Sequence, residues 1–313
     1  MRVLVTGSGG FVAPYVVAAL GAQAPGGVAL TLTGQTSGET AFGPIAALDI
    51  TDPAATDAMI AAVQPTHVVH LAGISALPQA AADPNMAWTV NVLGTLNLAR
   101  AVMRHVPAAT FLFAGSSQAY GGVPTHGGPL RETDPLLPTS EYGATKAAAD
   151  LGLGVLALQG LRAIRFRLFN HTGPRQTETF AVPSFASQIV RIERGEQPPV
   201  IKVGNLDAER DILDVRDVAE AYVAALLRAE AIPAGTVLNI CSGRGTRMRA
   251  LLDGLVARAR VPVTVEVDPA RWRANDIPVL VGDPARAREV LGWEPRRDIF
   301  DTLSDMLAAT RGL

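Results

Sequence analysis

The sequence predicts an α/β fold: a doubly wound parallel sheet joined to a smaller C-terminal α/β lobe. Three observations predict it. Short apolar runs alternate with helical stretches through the first half of the 313 residues. The first run leads straight through a glycine-rich turn, VLVTGSGGFVAPYV, into a helix. Near residues 170–175 the alternation loosens, and Gly173 and Pro174 punctuate the chain.

In order, Val3–Val5, Ala29–Thr33, Ile45–Leu48, Val68–Leu71, Thr110–Ala114 and Ala163–Leu168 read as strands, being short apolar runs. Segments near 12–20, 54–62, 86–105 and 142–159 read as helices. Beyond the break, helices near 183–194 and 215–228 flank a strand at 200–203. A strand at 236–240, a helix at 247–259 and a C-terminal piece follow. The expected division is a first domain at 1–170 and a lobe at 171–313, with about 211–240 returning to the first domain.

With 48% hydrophobic and 18% charged residues, the composition is that of a globular, core-rich chain. A net charge of −2 gives no electrostatic case for nucleic acid or an anionic membrane. The single cysteine, Cys241, excludes an intrachain disulfide and a cysteine-based zinc site, and reads as a small buried filler. MRVLVTG opens as a strand, and no apolar stretch reaches the ~18 residues of a membrane span. A soluble cytoplasmic protein without an export signal is expected.

In the glycine-rich turn the spacing is Gly7, Gly10, Ala13. Glycines let the backbone approach a pyrophosphate, and the following helix start faces negative charge. Alanine serves at the third position, where only close helix–strand packing is at stake. Strand before and helix after make this a Rossmann-type dinucleotide site. The second strand ends in TLTGQTSGE, with neither an acid nor an arginine at the strand end. No Arg or Lys occurs between Arg2 and Arg100. NAD(H) or NADP(H) is expected, with a slight lean towards NAD, because a 2′-phosphate has no local cation there.

EYGATKAAAD (141–150) places Tyr142 four residues before Lys146, one of only two lysines in the chain. Residues four apart stack on one helix face, about 5–6 Å apart. A free tyrosine has a pKa of about 10, and an ammonium one turn away favours the phenolate. Tyr142 and Lys146 therefore make an acid–base pair, in which lysine is also a compact donor for a ribose. FLFAGSSQAYG adds Ser116 and Ser117 at the C-terminal end of a strand, where ligands gather in open parallel sheets.

These residues resemble the extended short-chain dehydrogenase/reductase family. The matches are TGSGGFV (6–12), LDI (48–50), HLAG (70–73), NVLGTLNL (91–98), GSSQAYG (115–121), YGATK (142–146) and RLFNHTGPRQ (167–176), in the family's order. The resemblance implies that Ser116, Tyr142 and Lys146 are catalytic. It implies cofactor contacts from Gly7, Gly10, Phe11, Val12, Asp49, Ile50, Leu71, Ala72, Gly73 and Phe169, and a supporting role for Asn91. FNHTGPRQ, VGNLDAERDILDVRDV (203–218) and RANDIPVLVGDPARAREVLGWEP (273–295) look like the branch that handles GDP-mannose derivatives. That likeness implies substrate contacts from Ser117, Gln118, Asn170, Arg210 and Arg273. Arginine forks suit a diphosphate. Position 274 departs from the branch, with Ala where proline is common.

The branch contains 4,6-dehydratases and 4-keto reductases, and Gln118 separates them. The dehydratases carry a glutamate two residues before the tyrosine of GSSQAYG. Loss of water needs a base and an acid, and a carboxylate serves as both where an amide serves as neither. Reduction needs a hydride, a proton from Tyr142 and a hydroxyl to orient the carbonyl. The expected activity is reduction of GDP-4-dehydro-6-deoxy-D-mannose to GDP-D-rhamnose. The alternatives are a dehydratase with a displaced base, a nucleotide-sugar 4-epimerase and a cofactor-sensing scaffold.

His67 and His70 lie three apart on a strand, point to opposite faces and read as structural, so no metal site is expected. His126 and His171 fall in loops that border the sugar. GSSQ lacks the elbow and triad partners of a serine hydrolase. The helices at 86–105 and 142–159 carry broad apolar faces, and the resemblance implies a homodimer that pairs them as a four-helix bundle.

Overall fold

The computed structural model describes residues 1–24, 26–123, 128–272 and 277–312. In chain order, β1 (Arg2–Thr6) leads to α1 (Ala13–Gln23), β2 (Ala29–Gly34), β3 (Gly38–Thr40) and β4 (Gly43–Ala47). Then come α2 (Pro53–Val63), β5 (His67–His70), α3 (Leu77–Ala82), α4 (Pro84–Trp88), α5 (Thr95–His105) and β6 (Thr110–Ala114). α6 (Glu141–Leu158), β7 (Arg162–Leu168), β8 (Asn170–Thr172), α7 (Ala181–Glu193), β9 (Val200–Val203) and β10 (Glu209–Asp214) follow. α8 (Val215–Leu227), β11 (Thr236–Ile240), β12 (Gly245–Arg247), α9 (Met248–Val256) and β13 (Thr264–Val267) precede β14 (Val279–Leu280), α10 (Ala285–Leu291) and α11 (Ile299–Arg311).

The large sheet runs β11-β7-β6-β5-β1-β2-β4-β3. Its strands are parallel apart from β3, which is antiparallel to β4. From β1 the chain moves outward through β2, then returns to β5 and moves outward the other way. That reversal opens a crevice at the carboxyl ends of β1 and β5. Val16 and Leu20 of α1 and Val218 and Tyr222 of α8 pack on one face of the sheet. Leu98 and Val102 of α5 and Leu153 of α6 pack on the other. Covered on both sides, the central strands bury near-continuous apolar runs such as Val3–Val5 and Phe111–Phe113, as a buried parallel sheet requires. The segment near 211–240 contributes α8, against α1, and β11, paired with β7.

In the lobe, β10 pairs with β8, β12 and β14, while β9 pairs with β13. Phe185 and Ile189 of α7, Leu251 and Leu255 of α9, and Leu303 and Leu307 of α11 form its core.

Several elements differ from the sequence expectation, and two of them bear on the interior. The helix expected at 86–105 starts at α4 and carries a π-helical turn, Thr89–Gly94, before α5. The turn places Asn91 in the interior, where its amide binds the backbone of Ile74 and the hydroxyl of Thr145. β10 was not expected as a strand, because four of the six residues of ERDILD are charged. Its Asp211 is nevertheless fully buried, accepting from Ser242 N and Oγ and from Gly243 N.

A buried ion cluster fixes α6 against β7. Asp150 is 1% exposed and accepts from Arg165 Nη1 at 2.7 Å and Arg167 Nε at 2.9 Å. Arg167 also donates to the Tyr120 hydroxyl, which donates to Asn239. The helix bearing Tyr142 and Lys146 is thereby tied to the segment that follows β6.

Candidate active site

At the crevice lies a cleft of about 940 Å³. Its floor begins at the glycine turn. Gly7 has φ +71°, and a Cβ there would lie 2.6 Å from Ala72 N. Only glycine lets this turn rest against the loop after β5. Ser8 N donates to Thr33 O, joining the turn to the end of β2. Val12 at the N-cap of α1 makes no side-chain cap, and no acid stands in the first turn. A Cβ on Gly9 would meet nothing within 4 Å, so the outer side of the turn is open. Uncapped amides beside an open, glycine-lined turn fit a dinucleotide pyrophosphate.

Ser116 follows β6 and is 8% exposed. Its hydroxyl accepts from Gln118 N and caps the short helical turn Ser117–Ala119. α6 starts at Ser140, whose hydroxyl accepts from Gly143 N. A Cβ on Gly143 would lie 2.5 Å from Gln118 O, so glycine allows α6 to press against the Ser117–Ala119 turn. The contact brings the Tyr142 phenol beside Ser116, close enough for the serine hydroxyl to act on its proton affinity. Lys146, one turn on, donates from Nζ to Ala114 O at 2.9 Å and stands 5.2 Å from the Phe113 ring centroid.

Burial sets the electrostatics. It raises the Tyr142 pKa above its ordinary value, and the nearby Ser116 hydroxyl pulls only partly the other way. It pushes the Lys146 pKa down to about 8. The sequence expectation that the Lys146 ammonium depresses the Tyr142 pKa is corrected: desolvation of the buried phenol dominates. His70 is held neutral, its pKa pushed down to about 3 by burial and then by Lys146. It bonds Thr6 Oγ1 and Thr95 Oγ1, as a structural residue. Among the described residues, no cluster of three or more His, Cys, Asp or Glu could hold a metal.

The cleft brings together Gly7, Gly10, Phe11, Val12, Leu71, Ala72, Gly73, Ser116, Ser117, Gln118, Tyr142, Lys146, Phe169, Asn170, His171 and Arg210. Arg210 is 8% exposed and donates to the carbonyl of Glu209 at 2.9 Å. Asp49, Ile50 and Asn91 are not among the lining residues. Asp49 accepts from Thr51 N and Oγ1 in the turn before α2, and Ile50 is buried. Asn91 works one layer back, through Ile74 and Thr145. Arg273 and His126 lie outside the described residues.

The sequence reading missed other parts of the wall. Gly34–Glu39 line the cleft beyond β2, and Arg271 and Trp272 line it from the lobe. Trp272 is 53% exposed, which is unusual for so large an apolar ring. A tryptophan and a nearby arginine pair in a polar segment were the available signal. Tyr222 of α8 also reaches the cleft, and its buried hydroxyl has no hydrogen-bond partner among the described residues.

The family model described as GDP-mannose 4,6 dehydratase matches residues 4–306. A GDP-6-deoxy-D-mannose reductase of Pseudomonas aeruginosa is 37% identical over 245 residues, covering 78% of this chain and 80% of that protein. The structure of RMD from Pseudomonas aeruginosa complexed with NADPH superimposes with a TM-score of 0.86 and 31% identity, covering 99% of each chain. A UDP-glucose 4-epimerase of Thermus thermophilus in complex with NAD gives a TM-score of 0.86 at 28% identity, covering 100% of this chain and 99% of that one. The chain belongs to the GDP-mannose 4,6-dehydratase family, within the extended short-chain dehydrogenases/reductases.

Proposed function

We propose that this family member uses NADH or NADPH to reduce the 4-keto group of a nucleotide-linked 6-deoxy sugar. The favoured substrate is GDP-4-dehydro-6-deoxy-D-mannose and the product GDP-D-rhamnose. One observation carries the choice of reaction: the side chain beside Ser116 and Tyr142 in the cleft wall is Gln118, an amide. The proton removal and hydroxyl protonation of a dehydratase have no carboxylate at that position.

The bound nicotinamide supplies the hydride. Ser116 orients the carbonyl, and Tyr142 gives its phenolic proton to the oxygen. Burial keeps that phenol protonated at neutral pH, which suits a proton donor in the reducing direction. A 4-epimerase must also oxidise, a step that asks the same tyrosine to act as base. Lys146, with a pKa near 8, still carries its charge at neutral pH and holds the ribose side of the cofactor. Gly7, Gly10, Phe11, Val12, Leu71, Ala72, Gly73 and Phe169 form the dinucleotide cradle. Ser117, Gln118, Asn170, Arg210 and Arg271 face the sugar nucleotide, so that binding remote from the reacting carbon positions it.

Residues 1–170 with about 211–240 serve the cofactor and the remainder of the lobe serves the sugar nucleotide. The enzyme works as a cytoplasmic homodimer. Leu151, Val155 and Leu158, at i, i+4 and i+7 on α6, are 60%, 55% and 91% exposed, an apolar stripe suited to a second copy. No helix among the described residues is long and apolar enough to cross a membrane.

The test uses two mixtures. One holds the protein with GDP-mannose alone, the other the 4-keto sugar nucleotide with reduced cofactor. Loss of the nicotinamide absorbance in the second supports the proposal. Formation of a keto sugar in the first contradicts it.

A further inference from the structure

We infer that the Tyr222 hydroxyl holds the carboxamide of the nicotinamide and so fixes how that ring lies in the cleft. The inference rests on the cleft's reading as a dinucleotide site and goes beyond it to a contact beneath its floor.

Tyr222 is 0% exposed, and its ring packs edge-on against Phe166 of β7, with the centroids 5.0 Å apart. That packing needs no hydroxyl, and a phenylalanine would serve it. The hydroxyl is nevertheless present, buried and without a hydrogen-bond partner among the described residues. Two other buried side-chain atoms share that state, His105 Nε2 and Arg165 Nε. Both belong to side chains that face carboxylates, of Asp57 and Asp150. Tyr222 has no such neighbour in its surroundings of Val16, Leu20, Phe166 and Leu238. An unpaired buried hydroxyl is costly, so a partner that arrives with a ligand accounts for it.

The fold directs this phenol at the cleft. Val215, the first residue of α8, stands beside Gly173, which neighbours Phe11 of the glycine turn. The start of α8 is therefore its cleft end. Helical side chains lean towards the start of their own helix, so Tyr222 leans towards the cleft. Phe166 beneath it pairs in register with Ala114 of β6. Ala114, Leu168, Tyr142 and Tyr222 all line the cleft.

Burial raises the Tyr222 pKa, and the charge of a Tyr142 phenolate adds to it, so the two phenols lie within electrostatic reach. Tyr222 thus stays protonated and has one O–H to donate. In the proposed reaction the hydride-bearing carbon stands near Tyr142, which lays the nicotinamide over this floor. The carboxamide oxygen is the strong acceptor on that ring. The pyrophosphate belongs to the glycine turn after β1, two strands from β6, or about 10 Å.

Tyr222→Phe keeps the ring and its contact with Phe166 and removes only the hydroxyl. Titration calorimetry on the full chain compares this variant with the unaltered protein for NADH, NADPH, ADP-ribose and 2′-phospho-ADP-ribose. The last two lack the nicotinamide. We expect the variant to bind the complete dinucleotides roughly threefold to tenfold more weakly, the worth of one hydrogen bond. The truncated ligands should bind both proteins within about twofold, and the ligand-free variant should melt no lower, having lost no internal bond. Unchanged affinity for the complete dinucleotides overturns the inference. So does an equal loss for the truncated ligands, which puts the contact outside the nicotinamide. A lower melting temperature of the ligand-free variant also overturns it, since the hydroxyl then has a partner within the fold. These results leave the cleft's reading intact. Failure of all four ligands to bind the unaltered protein removes that reading and the inference together.

Discussion

Replacing Lys146 by Met should stabilise the cofactor-free protein while it stops turnover. Lys146 is 6% exposed, and burial lowers its pKa from 10.5 to about 8. That depression corresponds to about 3 kcal/mol of cost for holding the ammonium in the fold at neutral pH. Against it stands the bond from Nζ to Ala114 O, worth about 1 kcal/mol. Lys146→Met should therefore gain roughly 2 kcal/mol at pH 7. The sign follows from proton binding. Between the folded pKa near 8 and the unfolded 10.5, the unfolded chain holds more protons, so raising the pH relieves the native lysine. The cost is full below pH 8 and disappears as pH approaches 10.5. Urea midpoints of the two proteins, compared at several pH values, read this directly. The variant's advantage should shrink steadily across that window. A variant less stable at pH 7, or a difference that ignores pH, refutes the reasoning. Confirmation would mean that the fold tolerates a destabilising ammonium in its catalytic cleft.

Other expectations follow from the same structure. Asp150→Asn leaves Arg165 and Arg167 without their shared carboxylate, and urea unfolding should show a loss of about 3–5 kcal/mol. Gly7→Ala combines a positive φ with a contact against Ala72 N, so calorimetry should show dinucleotide affinity falling by about tenfold or more. Leu151→Asp with Leu158→Asp places charge on the exposed stripe of α6, and sedimentation should show dimers for the unaltered protein and monomers for the variant.

The central sheet was legible because its strands are apolar runs separated by amphipathic or small-residue helices. β8, β12 and β14 were not, because strands of two or three residues have no period to read. β10 hid behind its charges; the partners of its buried Asp211 come from Ser242 and Gly243, some 30 residues away in sequence. The π-helical turn at 89–94 also left no mark, since one extra residue barely alters an apolar pattern; its effect on Asn91 is seen only in three dimensions. Within the site, Tyr142 and Lys146 were readable because one helix turn joins them, and Ser116 because it ends a strand. Glu39, Arg271 and Trp272 were not, since the wall they form is assembled from distant segments. The direction of the Tyr142 pKa shift was misread for a related reason: spacing reports a neighbouring charge but not the depth of burial.

Rapid mixing of Tyr142→Phe, loaded with reduced cofactor, with the 4-keto sugar nucleotide tests the catalytic assignment most directly. The account predicts cofactor affinity within about twofold of the unaltered protein, and hydride transfer slower by about 10²–10⁴-fold, the usual worth of a positioned proton donor. Hydride transfer at an undiminished rate, with the phenol gone, would contradict it.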